Sequence, residues 1–254
     1  MTPPWGSVII SVMINNLTPP PLVQKFDYQK CEQVTLPCGK RHYLTPDGEK
    51  LASVTTILSA TKDMTALNEW KRRVGHENAK QISKEAAGRG TSMHKNLECF
   101  ITGLPRILGT NLVHQISNRM ANVIIEHGLS KIDEIWAIEQ SLYYKGLYSG
   151  TTDGIGVYKG EPVIFDYKQT NRPKKEIYVD DYKMQLVAYI MAHNSVYGTD
   201  IQRGVIFMAV KPPEISPGVF GESQYQQFDL LPKDFNKYQD MWLDKIEKYY
   251  KLNE

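Results

Sequence analysis

Cysteine, net charge and long apolar runs are all scarce in this chain. Only Cys31, Cys38 and Cys99 occur in its 254 residues. An odd, sparse set argues against a disulfide framework and for a reducing compartment. The Cys31/Cys38 gap has neither zinc-ribbon nor thioredoxin spacing, and with no cysteine after Cys99 a four-cysteine iron–sulfur cluster is excluded. The formal net charge is only +2, so any basic binding surface has to be a local patch. The apolar run in the opening "MTPPWGSVIISVMINN" is too short to span a membrane, and it lacks the basic start and small-residue cleavage site of a secretory signal. It also lacks the Arg-rich amphipathic pattern of a transit peptide, which favours a cytoplasmic setting, bacterial or in a virus-infected cell, over the mitochondrial matrix. Residues 1–22, ending in the Pro-rich "TPPPL", are expected to be a disordered leader.

What is present is ordinary for a globular domain: 41% hydrophobic and 23% charged residues, with fifteen tyrosines against seven phenylalanines. "RHYLTPDGEKLASVTTIL" reads as a hairpin with a Pro-Asp-Gly turn and an apolar return through Val54, Ile57 and Leu58. Residues 64–84 are polar and helix-favouring. Gly88 and Gly90 are expected to break that helix, with Thr91 capping the next, on which His94 and Glu98 share a face. A helix over 111–126 follows. Strands are expected at 134–144, 150–158 and 162–168, then a helix over 179–197. "GVIFMAV" reads as a strand buried on both faces, "SQYQQFDL" as an edge strand, and 233–252 as an amphipathic closing helix. This order predicts one α/β domain over 23–254: a mixed central sheet flanked by helices, with a hairpin and helical region (23–130) ahead of the core (131–254).

The chemistry concentrates in "YSGTTDGIGVYKGEPVIFDYKQT". With the turn near Gly160, paired positions sum to roughly 320, which sets Asp153 opposite the Asp166–Lys168 region. Alternation places Asp166 and Lys168 on one strand face and Phe165 and Tyr167 on the other. Close carboxylates repel unless a cation joins them, and such oxygen donors suit Mg²⁺ or Mn²⁺. A metal beside a lysine meets the needs of phosphodiester hydrolysis; the plain alternative is a surface Asp–Lys pair of little energetic weight. On the following helix Tyr182, Gln185 and Tyr189 share a face, and Arg172, Lys174 and Lys175 form a basic loop suited to phosphates.

Together, "GTTD", the apolar hairpin into "IFDYK", "QLVAY", "SVTTIL" and "GRGTSMHKNLE" resemble the PD-(D/E)XK nuclease superfamily in its RecB-like branch, in particular the mitochondrial genome maintenance exonucleases and their phage relatives. The likeness runs from about Arg41 to the C-terminus. It implies a restriction-endonuclease-like core with a helical, arch-like insertion, here residues 64–84 with Trp70 and Lys71–Arg73. It implies one or two Mg²⁺ or Mn²⁺ ions held by His94, Asp153, Asp166 and the Tyr167 carbonyl, with Asp153, Asp166 and Lys168 catalytic. Arg89, Thr91, Arg172, Gln185 and Tyr189 would contact DNA, and Glu98 and Glu139 are supporting acids. The implied activity is a monomeric exonuclease on single-stranded DNA with free ends. Rival readings are a ring-shaped recombination exonuclease on duplex ends and an inactive nucleic-acid-binding module.

Overall fold

A computed structural model describes residues 17–107, 109 and 111–253. The expected leader lies outside the described residues for 1–16. Its remainder is ordered against the core: Leu22 bridges Ile135, and the Ile135 N–H donates to the Pro21 carbonyl at 2.9 Å.

The chain opens with a small antiparallel sheet, β1 (Glu32–Thr35), β2 (Arg41–Leu44) and β3 (Lys50–Ala52). The hairpin turn is as read, but its return strand is only three residues long. Val54, Ile57 and Leu58 lie instead on a helix, α1 (Val54–Ala60), capped by Ser53, whose Oγ accepts from the Thr56 N–H at 3.0 Å. Their spacing of three and four is helical rather than alternating, and all three are buried.

Next come α2 (Thr65–Val74) and the 27-residue α3 (His76–Thr102). The break falls at Gly75, with φ at +86°, rather than at Gly88 and Gly90, which lie inside α3. Thr91 is therefore mid-helix and caps nothing. Tertiary contacts at the glycines override their low propensity. The Arg89 guanidinium donates to Gln169 and Asn171, and Ser117 Oγ donates to the Arg89 carbonyl. A methyl on Gly90 would sit 3.7 Å from Gln169.

Then follow α4 (Leu112–His127), β4 (Ile132–Tyr144), β5 (Tyr148–Tyr158), β6 (Glu161–Thr170), α5 (Asp180–Tyr197), β7 (Arg203–Val210), the short pair β8 (Glu214–Ser216) and β9 (Val219–Phe220), β10 (Gln224–Leu230) and α6 (Pro232–Lys251). Five strands form a mixed sheet in the order β10-β7-β6-β5-β4, with only the β6–β7 pairing parallel. This is the helix-flanked α/β sheet expected, and it matches a restriction-endonuclease-like core. Strict alternation builds a core on each face. Ile164, Ile206 and Met208 pack against α1, α5 and α6, while Phe165, Tyr167, Val205 and Phe207 pack against α3 and α4. Among the described residues no helix is long and apolar enough to cross a membrane.

Candidate active site

The β5–β6 hairpin pairs with a constant sum of 319, from Tyr158 with Glu161 to Gly154 with Phe165. Past that point β5 continues against β4 only and β6 against β7 only. The ladder parts where Asp153 and Asp166 face each other. Asp153 Oδ2 takes over a ladder bond, accepting from the Tyr167 N–H at 2.6 Å. The parted strands open an acid-lined cleft of about 530 Å³ between α3 and α5.

His94 enters from α3. Its Nδ1 lies 3.4 Å from Asp153 Oδ1, and its Nε2 donates to the Tyr167 carbonyl at 3.1 Å. That carbonyl, expected to face a metal, is thus engaged by the histidine, a contact that fixes the ring and turns Nδ1 toward the acids. Glu139 enters from β4, between the pairs Ile138–Gly154 and Gln140–Thr152. Its φ of +46° is rare for a side-chain-bearing residue. Strain of this kind costs on the order of 1–3 kcal/mol and collects at functional sites. Ligand atoms of His94, Glu139 and Asp153 all lie within 4.8 Å of one another. Asp166 is buried beside them, paired through Oδ2 with Lys168 and accepting from Gln185 Nε2 at 3.2 Å.

The electrostatics are those of a site built around positive charge. Burial opposes charge on His94, but the field and hydrogen bond of Asp153 win and push it up to about 9. Burial, then the Asp153 charge, raises Glu139 to about 7, a shift tempered by its solvent access. Burial is the main cause that raises Asp166 to about 6, although Lys168 opposes the rise. For Asp153, burial is outweighed by His94 and Lys168, and its pKa falls. Lys168 rises because Asp166 and Asp153 outweigh its burial.

The donor set, one imidazole nitrogen with carboxylate oxygens, fits a hard divalent cation such as Mn²⁺ or Mg²⁺. Within the acid cluster Glu139, Asp153 and Asp166 outnumber the paired cations His94 and Lys168, which leaves negative charge for such an ion to offset; the fourth acid of the cleft, Glu98, is matched by Lys95, and Arg41 stands at the rim.

Other expected residues are placed differently. The Glu98 carboxylate pairs with Lys95 at 2.8 Å, while both ring nitrogens of His94 face Asp153 and the Tyr167 carbonyl instead. Arg89 is buried and committed to Gln169 and Asn171, so it organises the end of β6 and is not free for DNA. Tyr189 is buried under Gly150, and its hydroxyl accepts from Gln185 at 3.3 Å; it steadies Gln185 from beneath the cleft. Thr91 lines the cleft. Arg172 lies outside it, in a neighbouring hollow with Lys211 and Gln224. Tyr182 lies beneath the Lys168 ammonium, 5.2 Å from ring centroid to Nζ. Five lining residues lie outside the expected site set: Gly90, Lys95 and Thr151, which neighbour expected ones, and Arg41 and Thr55, which come from the small sheet and α1, with "SVTTIL" a sign of Thr55 only.

No family profile matches the chain. Curated relatives do. It is 27% identical over 210 residues to mitochondrial genome maintenance exonuclease 1 of Mus musculus, covering 78% of this chain and 59% of that protein. The Homo sapiens protein of the same name is 26% identical over 213 residues, covering 78% and 58%, and the Xenopus tropicalis protein 25% over 243 residues, covering 91% and 65%. The chain spans about three-fifths of the length of these relatives. The resemblance carried by the motifs is borne out: this chain is similar, over most of its length, to proteins named as exonucleases.

Proposed function

We propose that this chain is a divalent-metal-dependent DNA exonuclease, acting by preference on single strands with free ends. The observation that carries the reading is the meeting of His94, Glu139, Asp153, Asp166 and Lys168 where the hairpin ladder parts. The names of the similar proteins support the same reading.

His94, Glu139 and Asp153 would hold the ion, with Asp166 at its side. A bound divalent cation supplies charge neutralisation for a phosphate and a more acidic water. The chain's own groups do the positioning. Lys168 stands against Asp166, close enough to orient a water toward phosphorus and to offset charge that grows on the phosphate oxygens. Gln185 fixes Asp166, and Tyr189 supports Gln185. Thr91 and the loop bearing Arg172, Lys174 and Lys175 offer contacts along the backbone. The five-stranded core and the helices ahead of it act as one nuclease domain from residue 23.

The test is digestion of linear and circular DNA, single- and double-stranded and labelled at either end, with Mg²⁺, Mn²⁺ or a chelator, for wild type and Asp166→Asn. Loss of linear single strands with circles spared, abolished by chelator and by the substitution, is expected. Cutting of circles makes the protein an endonuclease. No cutting with any metal, with DNA binding retained, overturns the hydrolytic reading.

A further inference from the structure

The cleft holds four side chains able to carry positive charge: Arg41, His94, Lys95 and Lys168. Three are committed to acids, His94 to Asp153, Lys95 to Glu98 and Lys168 to Asp166. Among the described residues the Arg41 guanidinium has no carboxylate partner, and it is exposed. Its backbone is fixed: the Arg41 carbonyl accepts from the Ser53 N–H and from Thr56 Oγ1, both at 3.0 Å. The strand that carries it is docked on the catalytic sheet. Tyr43, two residues on and on the same strand face, meets Thr151 through its hydroxyl at 3.0 Å, and Ser53 bridges Ser149. Thr151 in turn shares a face with Asp153. Two i,i+2 pairs thus stand against each other and bring Arg41 to the rim of the acid cluster.

A second groove of about 520 Å³ runs on from this rim. It shares Arg41 and Thr55 with the cleft and continues past Lys40, Thr56 and Ser59. Its lining contains no carboxylate and no aromatic ring. Two cations, hydroxyls and no stacking surface suit a sugar-phosphate backbone and not a base.

We propose that Arg41 binds the backbone phosphate next to the scissile one, and that the strand leaves the acid cluster along the Lys40–Ser59 groove with its bases turned outward and unread. The assignment rests on the nucleic-acid reading above. Arg41 is a positioning residue: its planar fork clamps two phosphate oxygens, a geometry that lysine reproduces only as a point charge.

The test uses a fluorescein-labelled single-stranded oligothymidylate with the full chain. Binding is measured in chelator across a salt series, and cleavage kinetics in Mn²⁺. Arg41→Ala is expected to weaken binding about tenfold and to flatten the slope of log affinity against log salt by about 0.7, the share of one single-strand phosphate. It is expected to raise KM with kcat changed less than about threefold, while calorimetric Mn²⁺ affinity stays at the wild-type value. Arg41→Lys is expected to restore the salt slope and only part of the affinity. Arg41→Gln keeps the side-chain length and serves if the alanine variant does not fold. Wild-type affinity and slope in a folded Arg41→Ala or Arg41→Gln overturns the assignment. A wild-type chain that binds with the Arg41-dependent slope yet cleaves nothing supports it while removing the hydrolytic reading.

Discussion

A single methyl group tests whether the parted hairpin is built as described. A Cβ on Gly154 would sit 2.1 Å from two ring carbons of Phe165, where ordinary contact begins near 3.4 Å. The ring would have to retreat by more than an ångström. It has nowhere to go, being fully buried with Tyr167 and Phe207 at centroid distances of 5.7 and 5.8 Å. Overpacking of this kind costs about 1–3 kcal/mol, and at this chain length each kcal/mol lowers Tm by about 2–4 °C. Gly154→Ala should therefore melt about 2–12 °C below wild type. Asp153 precedes Gly154 and Asp166 follows Phe165, so the same push moves the two carboxylates relative to each other. A shift of about 1 Å is enough for a loss of up to about 100-fold in rate. The assay is circular-dichroism melting, with cleavage measured well below both melting points. Gly88→Ala is the control. Nothing lies within 4 Å of its added methyl, and the position is an exposed helix interior. It should gain about 0.5–1 kcal/mol. Wild-type Tm and rate for Gly154→Ala would refute the wedge of Phe165 beneath the acids.

Lys168→Ala should lower cleavage at least about 100-fold while oligonucleotide affinity changes less than threefold; equal turnover of mutant and wild type would remove Lys168 from the mechanism. Proton release on Mn²⁺ binding, read by calorimetry in buffers of different ionisation enthalpy, should be close to one per ion at pH 8, because His94, at about 9, must give up its proton to offer a nitrogen. No release would strike His94 from the ligand set. Asp166 at about 6 and Glu139 at about 7 stand above their unfolded values. Their contribution to the metal-free fold is thus full below about pH 4 and lost as pH rises through 6–7. Added Mn²⁺ should accordingly raise Tm more at pH 8 than at pH 5.5, and equal shifts at the two values would contradict this. Arg89→Ala should lower Tm by several degrees, since buried bonds from a charged donor are worth about 1.5–3 kcal/mol, and should soften the 169–172 segment in hydrogen exchange. A loss confined to DNA affinity, with Tm unchanged, would return Arg89 to the substrate surface.

The core sheet was legible because its signals are local: alternation in β5 and β6, the turn at Gly160, and the continuous apolar run of β7. The meeting of Asp153 with Asp166 followed from register alone. Signals that depend on distant contacts were not legible. Glycine propensity at Gly88 and Gly90 is overruled by bonds from Arg89 to a strand 80 residues away. Glu98 has Lys95 at i−3 and His94 at i−4, both helix neighbours, and spacing alone does not choose between them. Arg41 belongs to a different sheet, so no spacing along the chain relates it to Asp153. Glu139 was legible as a supporting acid through the resemblance alone; its left-handed backbone and its place beside His94 and Asp153 were not, since nothing in "AIEQS" marks a left-handed residue.

The unbroken α3 has a mechanical consequence. At 1.5 Å per residue it is a rod about 40 Å long. From Arg89 onward it is clamped to the core, by the Arg89 bonds and by Met93, Leu97, Cys99 and Ile101, all buried. The part before Arg89 is about 20 Å of largely exposed helix. It is a cantilever with its root set in the same packing that holds His94. A load on its outer end is therefore taken up by the core at the root, and the imidazole keeps its place beside the acids.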